Sequence, residues 1–598
     1  MQIIKSFAKL FVFICPFIAT AQSTYLPQGD KGCHFIERLE IKQQTNTDLN
    51  FSTLKPFNRR AVVRQAEFLD SARMGYKDSS GQDKYKAWSD LDLSQVDEYN
   101  LHSFFMNNSE WVVGSKESFQ SARPILKSFY KTRPNFLEVN NKDFFLVVNP
   151  LLQIHQAVEP GYDKPIFFNS RGVTTRGMIG GKIGFSATIT ENQERGPRFF
   201  QNLQNPRKTL FPYVPGEGFY KRFKNDTTAV DYFDARGYIT FNVTKYIDVQ
   251  FGYDKNFIGN GYRSLFLSDW GNSYLFLKLN TKIWKFNYQN LFMELMPQFT
   301  KTHGDILLDR KYAAMHHLSM NVTRWLNLGL FESVIFGRQN HFDFQYLNPI
   351  IFYRHIEGTV GSPDNALAGF DFKANVVHRL QFYGQFLLDE FVLKQITANT
   401  GWWANKWGLQ AGFKYVDAFG VPNLDLQFES NRVRPFTYSH YSEISNYTHY
   451  NQPLAHPLGA NFQELIGIIN YQPAPKWYIN AKLIYYNQGL DSLGKDMFGN
   501  DSVTRNYGSN PFLSNLLQTA ANPYNTRKDE YGFKVGDGRK ATCLNAFMQI
   551  SYELRENLFF DISLLYRNYK IANESGQSST TLVTAGIRLN LFKREYDF

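Results

Sequence analysis

Through its last three quarters the chain repeats one rhythm: an alternating strand, a tight basic-aromatic turn, another alternating strand, then a long polar loop. Ile247, Val249, Phe251 and Tyr253 alternate with Asp248, Gln250, Gly252 and Asp254, so an extended backbone here has one oily face and one wet face. Leu558, Phe560, Ile562, Leu564 and Tyr566 repeat the pattern against Phe559, Asp561, Ser563, Leu565 and Arg567, with two apolar lapses. A Lys or Arg facing lipid at the bilayer midplane costs roughly 2–4 kcal/mol, and most candidate strands keep their charge on one face. The series predicts an all-β transmembrane β-barrel, with one large β-domain and a smaller element rather than several soluble domains. Aromatics make up 17 % of the chain, more than an ordinary core needs, while the mean hydropathy is −0.39. A barrel reconciles the two, because only every second strand residue meets lipid.

Connection lengths count the strands. Short turns at 555–557 and 472–476, and near Val421, Val377, Arg324, Lys282, Lys245 and Gly181, alternate with long loops at 487–541, 430–461, 389–406, 336–367, 294–312, 255–272 and 192–234. Short periplasmic turns and long outer loops give about eighteen antiparallel strands between Lys142 and Leu591, an even number that leaves both ends in the periplasm. The turns echo one another: Asn242 to Tyr246, Asn321 to Trp325, Asn280 to Trp284 and Pro475 to Trp477 each set an aromatic beside a cation, as a girdle at headgroup level requires. Phe598 supplies a terminal aromatic as a barrel-insertion cue, interrupted by Lys593, Arg594, Glu595 and Asp597.

Residues 1–21 read as a signal peptide: Lys5 and Lys9, the apolar run Leu10 to Ile18, then Ala19-Thr20-Ala21. Cys15 follows Ile14 where a lipobox needs a small residue. Residues 22–141 break the strand rhythm. Arg59 to Ser71 and Ser94 to Met106 predict helices, with Ser118 to Tyr130 a third interrupted by Pro124; this segment sits below the barrel 142–598 or plugs it. Removing Lys5 and Lys9 from the formal +11 leaves +9, which attracts anionic lipopolysaccharide or glycan or is simply spread over loops. Nucleic acid is excluded for an exported chain without a basic cluster. Cys33 and Cys543 fit no metal spacing and leave a disulfide open.

The loop 429–461 is the strongest binding candidate. It carries Tyr438, His440, Tyr441, Asn446, Tyr447, His449, Tyr450, Asn451, Gln452 and His456, with Arg432 and Arg434 at its entrance. Flat rings stack on sugar C–H faces, and amide, imidazole and guanidinium groups bind hydroxyls and carboxylates. The alternative is a loop that folds over the barrel mouth and satisfies its own polar groups. His440 and His449 lack the companions of a metal site, His316-His317 reads as lumen lining or rim, and Asp389-Glu390 points to opposite faces of a strand. No nucleophile elbow, phosphate loop or cofactor motif is present, so the chain reads as a non-enzyme without cofactors.

Ile258 to Asp269 (IGNGYRSLFLSD), Tyr346 to Pro349, Asp364 to Asp371, Tyr383 to Glu390 and Asn446 to Gly459 resemble the capsule-assembly Wzi family, especially its Bacteroidetes members, some named after the gliding-motility protein RemB. The resemblance implies an eighteen-stranded outer-membrane barrel of a Gram-negative cell, closed by loops above and helices below. It implies a lectin that holds capsular polysaccharide, with outer-membrane lipid and lipopolysaccharide as its surroundings. Two other readings stand beside it: a component of a gliding or secretion assembly with protein partners, and a nutrient channel.

Overall fold

The computed structural model describes residues 23–44, 52–74, 76–77, 83–84, 93–206, 208–297, 307–349, 352–361, 363–390, 392–495, 497–498, 501–574, 578–591 and 594–598. The signal-peptide reading falls on residues outside these. Eighteen antiparallel strands close into one barrel. They are β1 Phe144–Val158, β2 Ile166–Ile179, β3 Ile183–Arg195, β4 Val230–Thr244, β5 Ile247–Asp254, β6 Tyr274–Ile283, β7 Phe286–Leu295, β8 Lys311–Asn321 and β9 Leu326–Phe336. The circle continues with β10 Asn365–Val376, β11 Leu380–Glu390, β12 Lys406–Tyr415, β13 Leu424–Val433, β14 Phe462–Tyr471, β15 Trp477–Leu490, β16 Arg539–Arg555, β17 Leu558–Ile571 and β18 Ser578–Leu589. β18 returns to β1 in the register Val583↔Val158 to Leu589↔Leu152, which leaves the sheet no open edge.

The period-2 pattern sorts residues as anticipated. On β17, Phe560, Ile562, Leu564 and Tyr566 face outward and are exposed, while Asp561 and Arg567 are buried in the lumen. The two lapses have luminal partners: Phe559 lies under the Arg588 guanidinium, 4.3 Å away, and Leu565 packs with Ile166, Phe199 and Leu582. Tyr246, Trp284, Trp325 and Trp477 project from four short turns, and Lys245 and Lys285 sit over the rings of Tyr246 and Trp284.

Three helices close the short-turn end: α1 Lys31–Gln43 and α3 Gln95–Asn107 meet the short turns and the adjoining wall, and α2 Arg59–Met74 packs on both. Asp30 caps α1 by accepting the Gly32 N–H, and Ser94 with Asp97 forms a capping box on α3. Phe35, Ile36 and Leu39 of α1 pack with Val62, Val63 and Ala66 of α2 and Leu101, Phe104 and Phe105 of α3. The expected third helix at 118–130 is absent. Beyond a short 3-10 turn, Glu117–Phe119, the chain is irregular, with Leu126, Lys127 and Tyr130 at positive φ beyond Pro124; proline removes a donor and clashes with the preceding turn. Cys33 and Cys543 are both free thiols.

Candidate functional site

The helical floor is held by charge. Arg38 of α1 is buried against Asp97 (3.0 Å), Asp417 (2.9 Å) and Asp425, and Lys42 pairs with Asp97 and Asp417. Lys31 reaches Glu553 and Glu556, each at 2.6 Å, at the β16–β17 turn. Glu37 joins Lys55 to Lys414, and Lys373 meets Glu40 at 2.6 Å. The pairs to Asp417, Asp425, Glu553, Glu556, Lys414 and Lys373 cross the helix–barrel contact, while Asp97 and Lys55 complete the network from within the helical segment, so each group closes a charge that would otherwise be buried and unpaired.

Above the floor, the β5–β6 loop folds into the lumen. Phe257 and Ile258 add to the extended pair Leu54 and Lys55, and the Gly259 N–H donates to the Thr53 carbonyl. The loop tip is seated on the wall carboxylate of Glu429, which accepts the N–H groups of Tyr262 (2.7 Å) and Arg263 (3.1 Å), the Tyr383 hydroxyl and the Asn431 amide. Gly261 is needed there because a Cβ would stand 2.3 Å from a Glu429 oxygen. Gln385 and Gln410 bond the loop backbone at Ile258, Leu265 and Arg263.

The loop between β13 and β14 closes over this tip. The Tyr438 hydroxyl donates to the Leu265 carbonyl (2.9 Å) and the Tyr447 hydroxyl to the Phe266 carbonyl (2.6 Å), their rings stacked 5.6 Å apart. His449 bridges the Met296 N–H and the Ser273 carbonyl. Asn451 donates to the Pro212 carbonyl, and Gln452 clamps Gly216 and Glu217 through both ends of its amide. Buried Lys311 supports the cover from below, with Nζ at 2.7 Å from the Asn446 carbonyl and 3.0 Å from the Thr448 hydroxyl. Burial holds the His440 and His449 pKa values down, at about 4 and about 3, so both rings are neutral at neutral pH.

The candidate binding residues therefore divide. Tyr438, Tyr447, His449, Asn451 and Gln452 lie beneath the surface and bond other loops. Tyr441, 47 % exposed, and Arg432, on the outward face at the outer end of β13, look outside. Arg434 is half-buried on the carbonyls of Trp402 and Phe533, the His440 ring lies tilted 4.1 Å from that of Tyr441, and Tyr450 is half-buried beside His449. Asp389 accepts the Tyr438 N–H, and His317 pairs with Asp371 at 2.7 Å in the lumen. Among the described residues no cluster of His, Cys, Asp and Glu has the geometry to hold a metal.

A fourth element was not legible. Residues 594–598 turn inward instead of meeting lipid: Arg594 forks onto Glu194, Tyr596 donates to the same carboxylate, and Asp597 meets Arg263, Lys482 and Tyr262. Phe598 lies against Phe199 and Trp270. The expected insertion cue is thus a luminal ring. Its charged neighbours are the reason, since Arg594, Glu595 and Asp597 find ion pairs in the lumen that a lipid face cannot offer.

Helices, in-folded loop, cover and tail together define a class: an outer-membrane β-barrel whose lumen is stoppered at several levels. A family model, capsule assembly protein Wzi, matches residues 175–510, and the chain belongs to that family. Among solved structures it is similar to Escherichia coli Wzi, described as an outer membrane protein involved in group 1 capsule assembly and a carbohydrate-binding β-barrel. The identity is 13 %, over 96 % of this chain and 100 % of that one, with a TM-score of 0.52, a likeness of fold. Pseudomonas aeruginosa OprD (10 % identity, 74 % of this chain and 95 % of that one, TM-score 0.38) and Acinetobacter baumannii OccAB2 (9 %, 74 % and 97 %, 0.39) align too loosely to bear on function. No curated protein matches the sequence.

Proposed function

We propose that this protein binds capsular or other extracellular polysaccharide at the cell surface and retains it there. The observation that carries the reading is closure. With helices, in-folded loop, cover and tail stacked through the lumen, the outer loops are the face left to meet a large ligand, and a diffusion channel has no support. Membership of the Wzi family and the carbohydrate binding named for its Escherichia coli neighbour support the same reading. Within the family we assign the chain to the Bacteroidetes, RemB-like branch on the segments Ile258 to Asp269 and Asn446 to Gly459.

The contact set we assign is the outer part of the predicted loop: Arg432, Arg434, His440, Tyr441 and Tyr450. Tyr438, Tyr447, His449, Asn451 and Gln452 act by holding that loop in shape. Arg432 lies where a guanidinium also meets lipid phosphate. The test is binding of detergent-folded protein to polysaccharide from its own source cells, against unrelated acidic and neutral glycans. Saturable binding to its own polymer, weakened by Tyr441→Ala with Arg432→Ala while heat-modifiability on gels persists, is the expected result. Absence of binding to every glycan would overturn the reading.

A further inference from the structure

Beside the in-folded loop the lumen keeps a chamber of about 890 Å³, walled by β1–β5 and β12–β18 and reaching down to α1 and α3. That lies within the range of small-ligand sites, roughly 300–1,000 Å³. Its upper end contains polar groups that the fold leaves unused. Glu217 is 8 % exposed, and only its backbone is engaged, the N–H by the Val214 carbonyl and the carbonyl by Gln452; among the described residues its carboxyl meets no donor. The Trp270 indole N–H is buried without an acceptor. Lys255 reaches the Gly216 carbonyl at 3.1 Å and forms no ion pair among the described residues.

The charge around these groups is one-sided. Glu194, Glu217, Asp234, Asp254 and Asp269 face Arg236, Lys255 and Arg594, and two of the three cations are already held, Arg236 by Asp234 and Arg594 by Glu194. An excess of carboxyls in a confined, partly desolvated space attracts a cation and rejects an acid. The acids are not gathered as metal ligands. Aromatic walls and spare donors favour a polyhydroxylated ring over a bare amine.

We propose that the upper end of this chamber binds a short saccharide bearing a free amine, its ammonium on Glu217 and Asp269 and a ring face on Trp270. This site is separate from the outer face that meets polymer. Burial, reinforced by Asp234, holds the Glu217 carboxyl up at about 8. An arriving ammonium favours the carboxylate, so binding at pH 7 sends the Glu217 proton to buffer.

The experiment is titration calorimetry on the full detergent-folded chain with glucosamine trisaccharide, its N-acetylated form and a trigalacturonate, each in two buffers of different ionisation enthalpy. The expected result is saturable binding of the free-amine trisaccharide alone, with proton release. Glu217→Gln should weaken it at least tenfold and abolish the release, and Trp270→Leu should weaken it while the proton is still released. Binding of the native polysaccharide should be unchanged in both variants, which separates this site from the surface reading. Equal binding of the acetylated or acidic sugar, undiminished affinity in Glu217→Gln, or no heat with any trisaccharide would overturn the proposal.

Discussion

His449 is expected to make the cover over the lumen acid-labile. Its ring sits against Tyr274 and Tyr450, with Nδ1 accepting the Met296 N–H at 3.0 Å and Nε2 donating to the Ser273 carbonyl at 3.1 Å. The first contact requires the neutral ring, because a protonated Nδ1 has no lone pair left to accept the Met296 N–H; the second can be made in either state. Burial, with Lys311 and Lys255 adding to it, holds the pKa down at about 3, whereas a solvated ring in the opened loop returns to about 6.5. The open state therefore takes up a proton that the closed state refuses, and closure weakens as pH falls from about 6.5 toward about 3. Between pH 7.5 and pH 5 the loss is about 2 kcal/mol, a roughly thirtyfold rise in the opening constant. Hydrogen exchange of the Tyr450 and Leu454 amides, which donate to the Met296 and Tyr447 carbonyls, reads it once intrinsic pH dependence is removed. His440, held near 4 in the same loop, sets the residual slope left in a His449→Asn variant. Equal corrected protection at both pH values, or an unaltered slope in that variant, would refute the reasoning.

Other perturbations reach the remaining stoppers. Arg38→Ala leaves three carboxylates facing a buried gap and should loosen the helical floor by about 3–5 kcal/mol, seen as trypsin cleavage within α1–α3 and intermittent single-channel openings; an unchanged digestion pattern would count against the ion-pair account. Tyr447→Phe strands the buried Phe266 carbonyl at a cost of about 1–2 kcal/mol, read as faster exchange in 446–454 with the barrel's heat-modifiability intact. Glu194→Gln removes the carboxylate shared by Arg594 and Tyr596. In a background with Cys33 and Cys543 replaced by Ser, a Phe598→Cys reporter should then react with maleimide, where the same reporter on native Glu194 stays protected.

The barrel was legible because lipid on one side and a polar lumen on the other impose a period of two on every strand, and residues 247–254 and 558–567 keep that period. Helices α2 and α3 showed through their apolar spacing and the Ser94 cap. Helix α1 carries the same kind of signal, an Asp30 cap with Phe35, Ile36 and Leu39 on one face, but basic and acidic residues interrupt it, and their partners, among them Asp97, Lys373, Lys414, Asp425 and Glu553, come together with it only on folding. The cover loop illustrates why the site was harder. Rings and amides that suit a sugar equally suit the carbonyls of a neighbouring loop, and composition does not say which partner is nearer. Tyr438 and Tyr447 are the clearest case, since their hydroxyls are satisfied by Leu265 and Phe266, residues some 180 positions away in sequence. Glu217 carried no signal at all; its isolation arises from folding.

The segments by which the chain resembles its family are mostly those that close it. In Ile258 to Asp269, Gly261 lets the loop tip meet Glu429 and Ser264 accepts the Phe266 N–H. In Asp364 to Asp371, Asp364 takes a forked pair from Arg338 and the Tyr346 hydroxyl, while Asp371 holds His317. Tyr383 and Gln385 seat the in-folded loop, and Asn446 to Gly459 lies over it. Each of these groups is committed to a buried partner, so altering it opens or strains the stopper before it alters any ligand contact. Outward residues such as Arg432 and Tyr441 carry no such duty. On the proposed surface-binding reading, glycan choice is therefore free to change along the outer rim at little cost to the barrier, and exchanging Arg432 and Tyr441 for other side chains should shift which polysaccharide binds while conductance stays at the closed level.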